Sequence, residues 1–304
     1  MKNSNVNRSP LFYVGDKYKL VNEIKSHFPA TIRQFVEPFV GGGSVYLNVE
    51  AENYLLNDIN EYVIGLHRML LTYLGDEQKF FADVEALIER YGLSYSYKED
   101  NVPQELKTRF VKTYFAKYNK ESYSRMRADY NEGGCKDSLL LYLLLIYGFN
   151  RMIRFNGKGK FNLPVGNVDF NQNTVDALNA YFELNAHKQT RWSALDFEDF
   201  LGAQDLNEED LVYLDPPYLI TFSEYNKLWN EESERRLLRV LDALNERGIR
   251  FAISNVTHYK GRVNNIFLDW SNQYNIYPIK SNYISFRDNT IKQFNEVLVT
   301  NFHD

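Results

Sequence analysis

The apolar run Val212-Tyr213-Leu214 ends abruptly in Asp215-Pro216-Pro217-Tyr218, and no other segment constrains the fold as strongly. Proline cannot continue the ladder of a central strand, and it fixes its own φ. The chain must therefore leave the sheet at Asp215 on a stiff path with its carbonyls turned outward. Such a path holds one carboxylate, one or two backbone acceptors and one aromatic ring in fixed relation, which suits a flat ring bearing an amino group. The same four residues also fit a plain strand end followed by a proline turn. The rest of the chain has to separate the two readings.

At 304 residues the chain has room for one large domain or two modest ones. With 44% hydrophobic and 25% charged residues it reads as a soluble globular protein with ample core material. No signal peptide is expected, and the longest apolar stretch, Leu139 to Phe149, is too short to span a bilayer. The single cysteine, Cys135, excludes an internal disulfide, fits a reducing cytoplasm and reads as a plain free thiol. His27, His67, His187, His258 and His303 are scattered without ligand spacing, so no metal is expected. The net charge of −5 argues at first against nucleic acid. Binding depends on local patches, however, and Ser138 to Val168 contains no acid but holds Arg151, Arg154, Lys158 and Lys160. The acids gather elsewhere, as in Glu208-Glu209-Asp210 and Glu231-Glu232.

Strand patterns run into helical ones at both ends of the chain. Gln34 to Val40 reads as a strand entering Gly41-Gly42-Gly43-Ser44 and then a helix start, and Tyr54 to Asp58 as a second strand. Helical spacing follows from Glu61 to about Tyr91, from about Gln104 to Tyr130, from Ser138 to Tyr147 and from Asn173 to Leu184. Between Asn150 and Gly166 the composition predicts a loop or hairpin. Later come a strand near Val212–Leu214, a helix over Glu231–Glu246, a strand over Arg250–Ser254, and strands near Tyr274–Pro278 and Glu296–Thr300. This pattern predicts an α/β domain, residues 1–62 and 176–304, carrying a mostly helical insert at 63–175.

A glycine-rich turn after a strand lets a ligand approach the backbone, and Asp58, about 20 residues further on, can accept both hydroxyls of a ribose. The run Gly41-Gly42-Gly43 is not the spaced dinucleotide fingerprint, so NAD is not supported. Together the two features favour a nucleoside-bearing ligand.

These residues carry a specific resemblance. Phe35-Val36-Glu37-Pro38-Phe39-Val40-Gly41-Gly42-Gly43-Ser44-Val45 is similar to the cofactor motif of the Dam-family (D12-class) DNA adenine-N6 methyltransferases. Tyr13-Val14-Gly15-Asp16-Lys17 resembles the family's N-terminal motif and Leu56-Asn57-Asp58-Ile59 its ribose motif. Ser193-Ala194-Leu195-Asp196-Phe197 resembles its adenine-holding segment. The likeness is strongest to the T-even-phage type, through Asp215 to Thr221 and Asn226-Lys227-Leu228-Trp229. It runs from about Tyr13 to Thr300 and implies a Rossmann-like S-adenosylmethionine-binding sheet with an inserted helical target-recognition domain carrying a β-hairpin.

By that resemblance Tyr13, Lys17, Glu37 and Phe39 belong to the cofactor site. Gly41 and Gly43 allow close backbone approach, Asp58 takes the ribose, Asp196 accepts from the cofactor's adenine amine, and Phe197 packs on its ring. Phe39 and Phe197 also fit simple core packing. Asp215 and the Pro216 carbonyl would accept both N–H groups of the target amine, with Pro217 stiffening the turn and Tyr218 stacking on a flipped base. In the hairpin Arg154 would read guanine in a GATC-like site, Met152 and Pro164 would flank a thymine methyl, and Phe149 would wedge at the flipped site. Asn150, Asn156 and Lys158 would contact bases or backbone.

The chain departs from the family where the first base is read. A basic residue before the N-terminal aromatic, or an arginine two residues past the hairpin glycine, does this elsewhere; here those positions hold Phe12 and Val168. The late basic residue is also offset, with Arg287 and Lys292 following Ile284-Ser285. The expected partner is double-stranded DNA and the expected location the cytoplasm of a bacterial or phage-infected cell, with a monomer as the default. The alternatives are methylation of cytosine N4, RNA adenine or a protein glutamine, or an inactive DNA-binding relative. The glutamine enzymes usually carry Asn at the first motif position, which here is Asp215.

Overall fold

The computed structural model describes residues 6–221, 229–279 and 294–303. Asn226-Lys227-Leu228, Ile284-Ser285, Arg287 and Lys292 lie outside the described residues. The chain forms two compact units: Met1–Tyr18, Gly41–Leu47 and Asn60–Lys188 make the first, and Lys19–Val40, Asn48–Ile59 and Gln189–Asp304 the second. Residues 63–175 fall wholly in the first unit, which extends further, to Lys188 and to the two short segments.

The second unit is built on one sheet. Its strands are β1 (Gln34–Glu37), β2 (Asn53–Asn57), β3 (Thr190–Ser193), β4 (Leu211–Leu214), β5 (Arg250–Tyr259), β6 (Arg262–Val263), β7 (Asn275–Ile279) and β8 (Phe294–Thr300). They run in the order β3-β2-β1-β4-β5-β8-β7, with β6 paired to β5. The first five are parallel, and β8 lies antiparallel between β5 and β7. This is the mixed, Rossmann-like α/β architecture that the strand and helix alternation calls for. All four residues of β1 and of β4 are buried, as parallel strands covered on both faces require. Val36, Val212, Leu214, Phe251, Ile253 and Val299 form the sheet side of the core, and Leu237, Leu238, Leu241 and Leu244 of the Glu231–Glu246 helix cover it. Each such side chain contributes roughly 1.5–3 kcal/mol of burial.

The first unit is helical, with helices over Glu61–Leu71, Glu77–Tyr91, Gln104–Arg109, Tyr114–Glu132, Ser138–Ile146 and Gln172–Asn185. Asp137 caps the apolar Ser138–Ile146 helix by accepting from the Leu139 and Leu140 N–H groups, and Leu140 to Ile146 are all buried. No helix among the described residues is long and apolar enough to cross a membrane.

Four expectations change. The helical pattern from Glu61 to Tyr91 is two helices, parted at Gly75, whose φ of +83° a helix cannot hold. The pattern from Gln104 to Tyr130 also breaks, where Phe110 leaves helical geometry at φ −125°, ψ 49°. After the glycine run no α-helix starts: the chain makes a single 3₁₀ turn, Tyr46–Asn48, and buries Tyr46 and Leu47. The loop therefore presents no α-helix N-terminus to a ligand. β5 runs on to Tyr259 because its partner β8 pairs with it as far as Phe294.

Candidate active site and nucleic-acid interface

In the second unit the strand order reverses between β1 and β4, the point at which open α/β sheets leave a crevice beyond their carboxyl ends. Five of the candidate residues stand along that edge, and Tyr13, Lys17, Gly41 and Gly43 belong to the first unit. Glu37 ends β1, with Phe39 just beyond; Asp58 follows β2; Asp196 follows β3; Asp215 follows β4. Buried Asn57 locks the edge. Its amide donates to the Pro38 and Leu195 carbonyls at 3.0 and 2.9 Å and accepts from Ser193 Oγ and Leu195 N–H, both at 2.9 Å. Replacing Asn57 with alanine strips that partner from four groups and is expected to destabilise the protein by about 2–4 kcal/mol. Urea denaturation of the two proteins measures it, and a loss under about 1 kcal/mol would mean that water takes over these bonds.

The turn after β4 is held by its own side chains. The Tyr218 hydroxyl lies 2.8 Å from Asp215 Oδ1 and 3.0 Å from Glu296 Oε1 on β8, so one phenolic proton faces two carboxylates. Burial, and then the charges of Asp215 and Glu296, push the Tyr218 pKa well above its usual value, so the phenol stays protonated and donates. Beneath it, fully buried Tyr213 pairs with Ser254 at 2.9 Å. Its pKa is raised by burial first and then by Asp215, Glu37 and Glu296, which places all three carboxylates within electrostatic range of one hydroxyl.

In the same unit Phe39, Phe197 and Trp229 form an aromatic cluster with ring centroids 5.4–5.9 Å apart. Trp229 is aimed by its indole N–H, which donates at 2.7 Å to Glu234. Glu234 is fully buried and also accepts from Asn255 and Asn264, each at 2.9 Å. Asp196 is engaged by the protein itself: it caps the Phe197–Gly202 helix through Glu198 N–H at 3.0 Å and pairs with Arg236 at 2.5 Å. The Arg236 guanidinium lies 4.5 Å from the Phe197 ring centroid. Each carboxylate oxygen has a second lone pair, so Asp196 keeps acceptor capacity, while Phe197 is packed as core.

In the first unit the glycine loop folds against its own neighbours. Gly41 and Gly43 have φ of +48° and +82°, and a Cβ at Gly43 would meet the Tyr46 ring at 2.4 Å. The missing side chain at Gly43 is thus used for internal packing. Tyr13 lies beside Gly41 and Gly42, and the buried Lys17 ammonium donates to the Gly15 carbonyl at 3.4 Å. His67, fully buried, bridges the Gly41 carbonyl at 3.0 Å and the Tyr181 hydroxyl at 3.1 Å. Burial lowers its pKa from 6.5 to about 4, against the opposing effect of the Gly41 bond. A depressed folded-state value gives stability that is whole above pH 6.5 and is lost as pH falls toward 4. About 3 kcal/mol is at stake. Denaturation at pH 7 and pH 4.5 should differ by most of this in the wild type and by less in His67→Gln.

The basic segment forms an antiparallel hairpin. Gly148 bridges Val165 and Phe155 bridges Phe161, with a turn in which Gly159 takes φ +70° and Asn156 Oδ1 accepts from Lys158 and Lys160 N–H. Arg127 and Asn131 of the Tyr114–Glu132 helix tie the returning strand through the Leu163 and Phe161 carbonyls. Phe149 is 52% exposed, and Asn150, Asn156, Lys158 and Pro164 are exposed, with Met152 half-buried. Arg154 is drawn onto the hairpin, its Nε and Nη2 donating to the Asn162 side chain and carbonyl, both at 2.9 Å. Three of its five N–H donors are not used by these bonds.

Among the described residues no cluster of His, Cys, Asp or Glu could hold a metal ion. Residues 13–284 match the family model for D12 class N6 adenine-specific DNA methyltransferases. The chain belongs to that family. It is 37% identical, over 97% of its length, to the type II methyltransferase M.FokI of Planomicrobium okeanokoites. It is 34% identical, again over 97%, to the modification methylase StsI of Streptococcus sanguinis. It spans only 43% of the length of each of these two relatives. With the DNA adenine methylase of Vibrio cholerae it shares 30% identity over 85% of this chain and 87% of that one.

For this D12-class chain, the motifs mark the strand ends and the hairpin but assign no role to Asn57, which stands inside the ribose motif, or to Glu234 and Glu296. Glu296 had one sequence signal, a lone acid inside the apolar run Phe294 to Thr300. Asn57 had none beyond its place before Asp58.

Proposed function

We propose that the chain transfers a methyl group from S-adenosylmethionine to adenine N6 in duplex DNA, with residues 1–62 and 176–304 carrying the chemistry and 63–175 the DNA contacts. The observation that carries this is the Asp215–Tyr218–Glu296 arrangement at the point where the strand order reverses. The residues fit the cofactor by their chemistry: Asp58 is an acceptor for a ribose diol, Phe39 and Phe197 belong to an aromatic cluster suited to a purine, and the Glu37 and Asp215 carboxylates favour a positive charge. When bound, that cofactor supplies an electrophilic methyl group on a cationic sulfur.

An aromatic amine is a poor nucleophile because its lone pair is delocalised into the ring. Asp215 and the Pro216 carbonyl accept its two N–H groups, which localises the pair on nitrogen. Tyr218, anchored through its hydroxyl, offers its ring face to the flipped base. Extruding the base costs a few kcal/mol, offset by this stacking and by the wedge of Phe149. No covalent enzyme intermediate is needed. On the hairpin Met152 and Pro164 flank a thymine methyl, Arg154 donates to guanine, and Asn150, Asn156 and Lys158 hold the backbone.

The test is labelled-methyl transfer to duplexes containing NATC with each base at N. Transfer to one or more of them, on adenine N6, supports the reading, and the pattern across the four reports how the first base is read. Transfer to cytosine or RNA instead, or binding of the cofactor without transfer, would overturn it.

A further inference from the structure

Five non-glycine residues among those described have positive φ, and three of them belong to one feature of the first unit: Phe12 (+47°), Asn150 (+53°) and Arg151 (+50°). Bulky side chains avoid this region at a cost of order 1–3 kcal/mol each, while asparagine tolerates it, so Phe12 and Arg151 mark a place where the fold holds strain. At its centre is the buried Phe12 ring. The Arg151 guanidinium lies 4.0 Å from its centroid and that of Arg8 lies 4.6 Å away. Arg8 also lies 5.2 Å from the Tyr18 ring. Among the described residues neither arginine has a carboxylate within ion-pair distance; Asp16 feels Arg8 only at longer range.

The cluster is costly as it stands. Two like charges share one ring, and Arg151 Nε is buried without a hydrogen-bond partner. Burial, then the charge of Arg8, lowers the Arg151 pKa to about 10, which leaves it fully cationic at neutral pH. A glycine at 151 would take the same backbone conformation without strain and without a desolvated charge. Stability alone does not account for an arginine here; a ligand rich in acceptors does. By contrast, Arg154 on the same hairpin already donates twice to Asn162.

We propose that Arg8 and Arg151, clasping Phe12, form a second DNA-contact site on the hairpin unit, which donates to acceptor groups of the duplex. Guanine N7/O6 and phosphate oxygens share the required chemistry. The proposal rests on the reading of the hairpin as the DNA-contacting element. It places two cations at Phe12, where the resemblance leaves the first base without a reader.

The experiment measures duplex affinity at two salt concentrations, on the four NATC duplexes, for wild type, Arg8→Gln and Arg151→Gly, with thermal melting of each. Arg151→Gly should melt about 2–4 °C higher, because strain and an unsatisfied cation are removed. It should also bind DNA more weakly. Weakening confined to one duplex, roughly 5- to 150-fold, assigns the site to a guanine edge. Uniform weakening, with the salt slope reduced by about 1 per arginine, assigns it to phosphate. Wild-type affinity on every duplex for both variants overturns the proposal, as does a large drop in melting temperature with affinity intact. Wild-type protein that binds duplexes in this way but transfers no methyl group would sink the methyl-transfer reading and leave this one standing.

Discussion

Replacing Asp215 with alanine is expected to reduce methyl transfer at least roughly 10³-fold while leaving duplex affinity within about twofold. In the proposed mechanism the carboxylate acts on the amine, not on the groups that hold DNA. It sits just past the end of β4, in the sheet unit, whereas the exposed cations of the hairpin belong to the other unit. Single-turnover transfer and duplex affinity on the same variant separate the two roles. Retained transfer would show that amine polarisation comes from the backbone carbonyl alone. A parallel loss of affinity would show that Asp215 organises the protein instead.

Glu296→Gln should lower kcat by roughly 10- to 100-fold with KM for DNA and cofactor little changed. The reason lies in the shared proton. The Tyr218 hydroxyl has one hydrogen and two carboxylate neighbours, at 2.8 and 3.0 Å. With Glu296 charged, part of that hydrogen bond is drawn away from Asp215. With a neutral amide in its place, the phenol donates to Asp215 alone and drains the electron density that Asp215 needs for the amine. In the proposed mechanism Glu296 is thus a positioning residue, acting through Tyr218. Tyr218→Phe keeps the ring and removes the proton, so in that background Glu296→Gln should have almost no further effect. Two losses that multiply would refute this account.

Much of the chain was legible because local chemistry decided it. The helix over Glu231–Glu246 has an Asn230 cap, acids in its first turn and an apolar stripe, and it forms with those ends. The stop at Asp215 follows from proline, and the hairpin from its asparagines, glycines and cations. Where a long helix was expected from Glu61 to Tyr91, periodicity continued across Gly75 because a single residue barely disturbs a hydrophobic stripe, though it ends a backbone ladder. The helix expected after Gly41 to Gly43 failed because Tyr46 and Leu47 are drawn into the core as a tight turn.

By itself, then, the sequence determined most of the elements, the strand ends near Glu37, Asp58 and Asp215, and the basic hairpin. Each of these depends on residues within a few positions of one another. Only the tertiary structure decided which groups complete the sites. Inserting β8 antiparallel between β5 and β7 brings Glu296 to Tyr218, across 78 positions. Packing of the N-terminal segment on the hairpin sets two cations against Phe12. Contacts of that range depend on strand order and long-range packing, which no local pattern encodes.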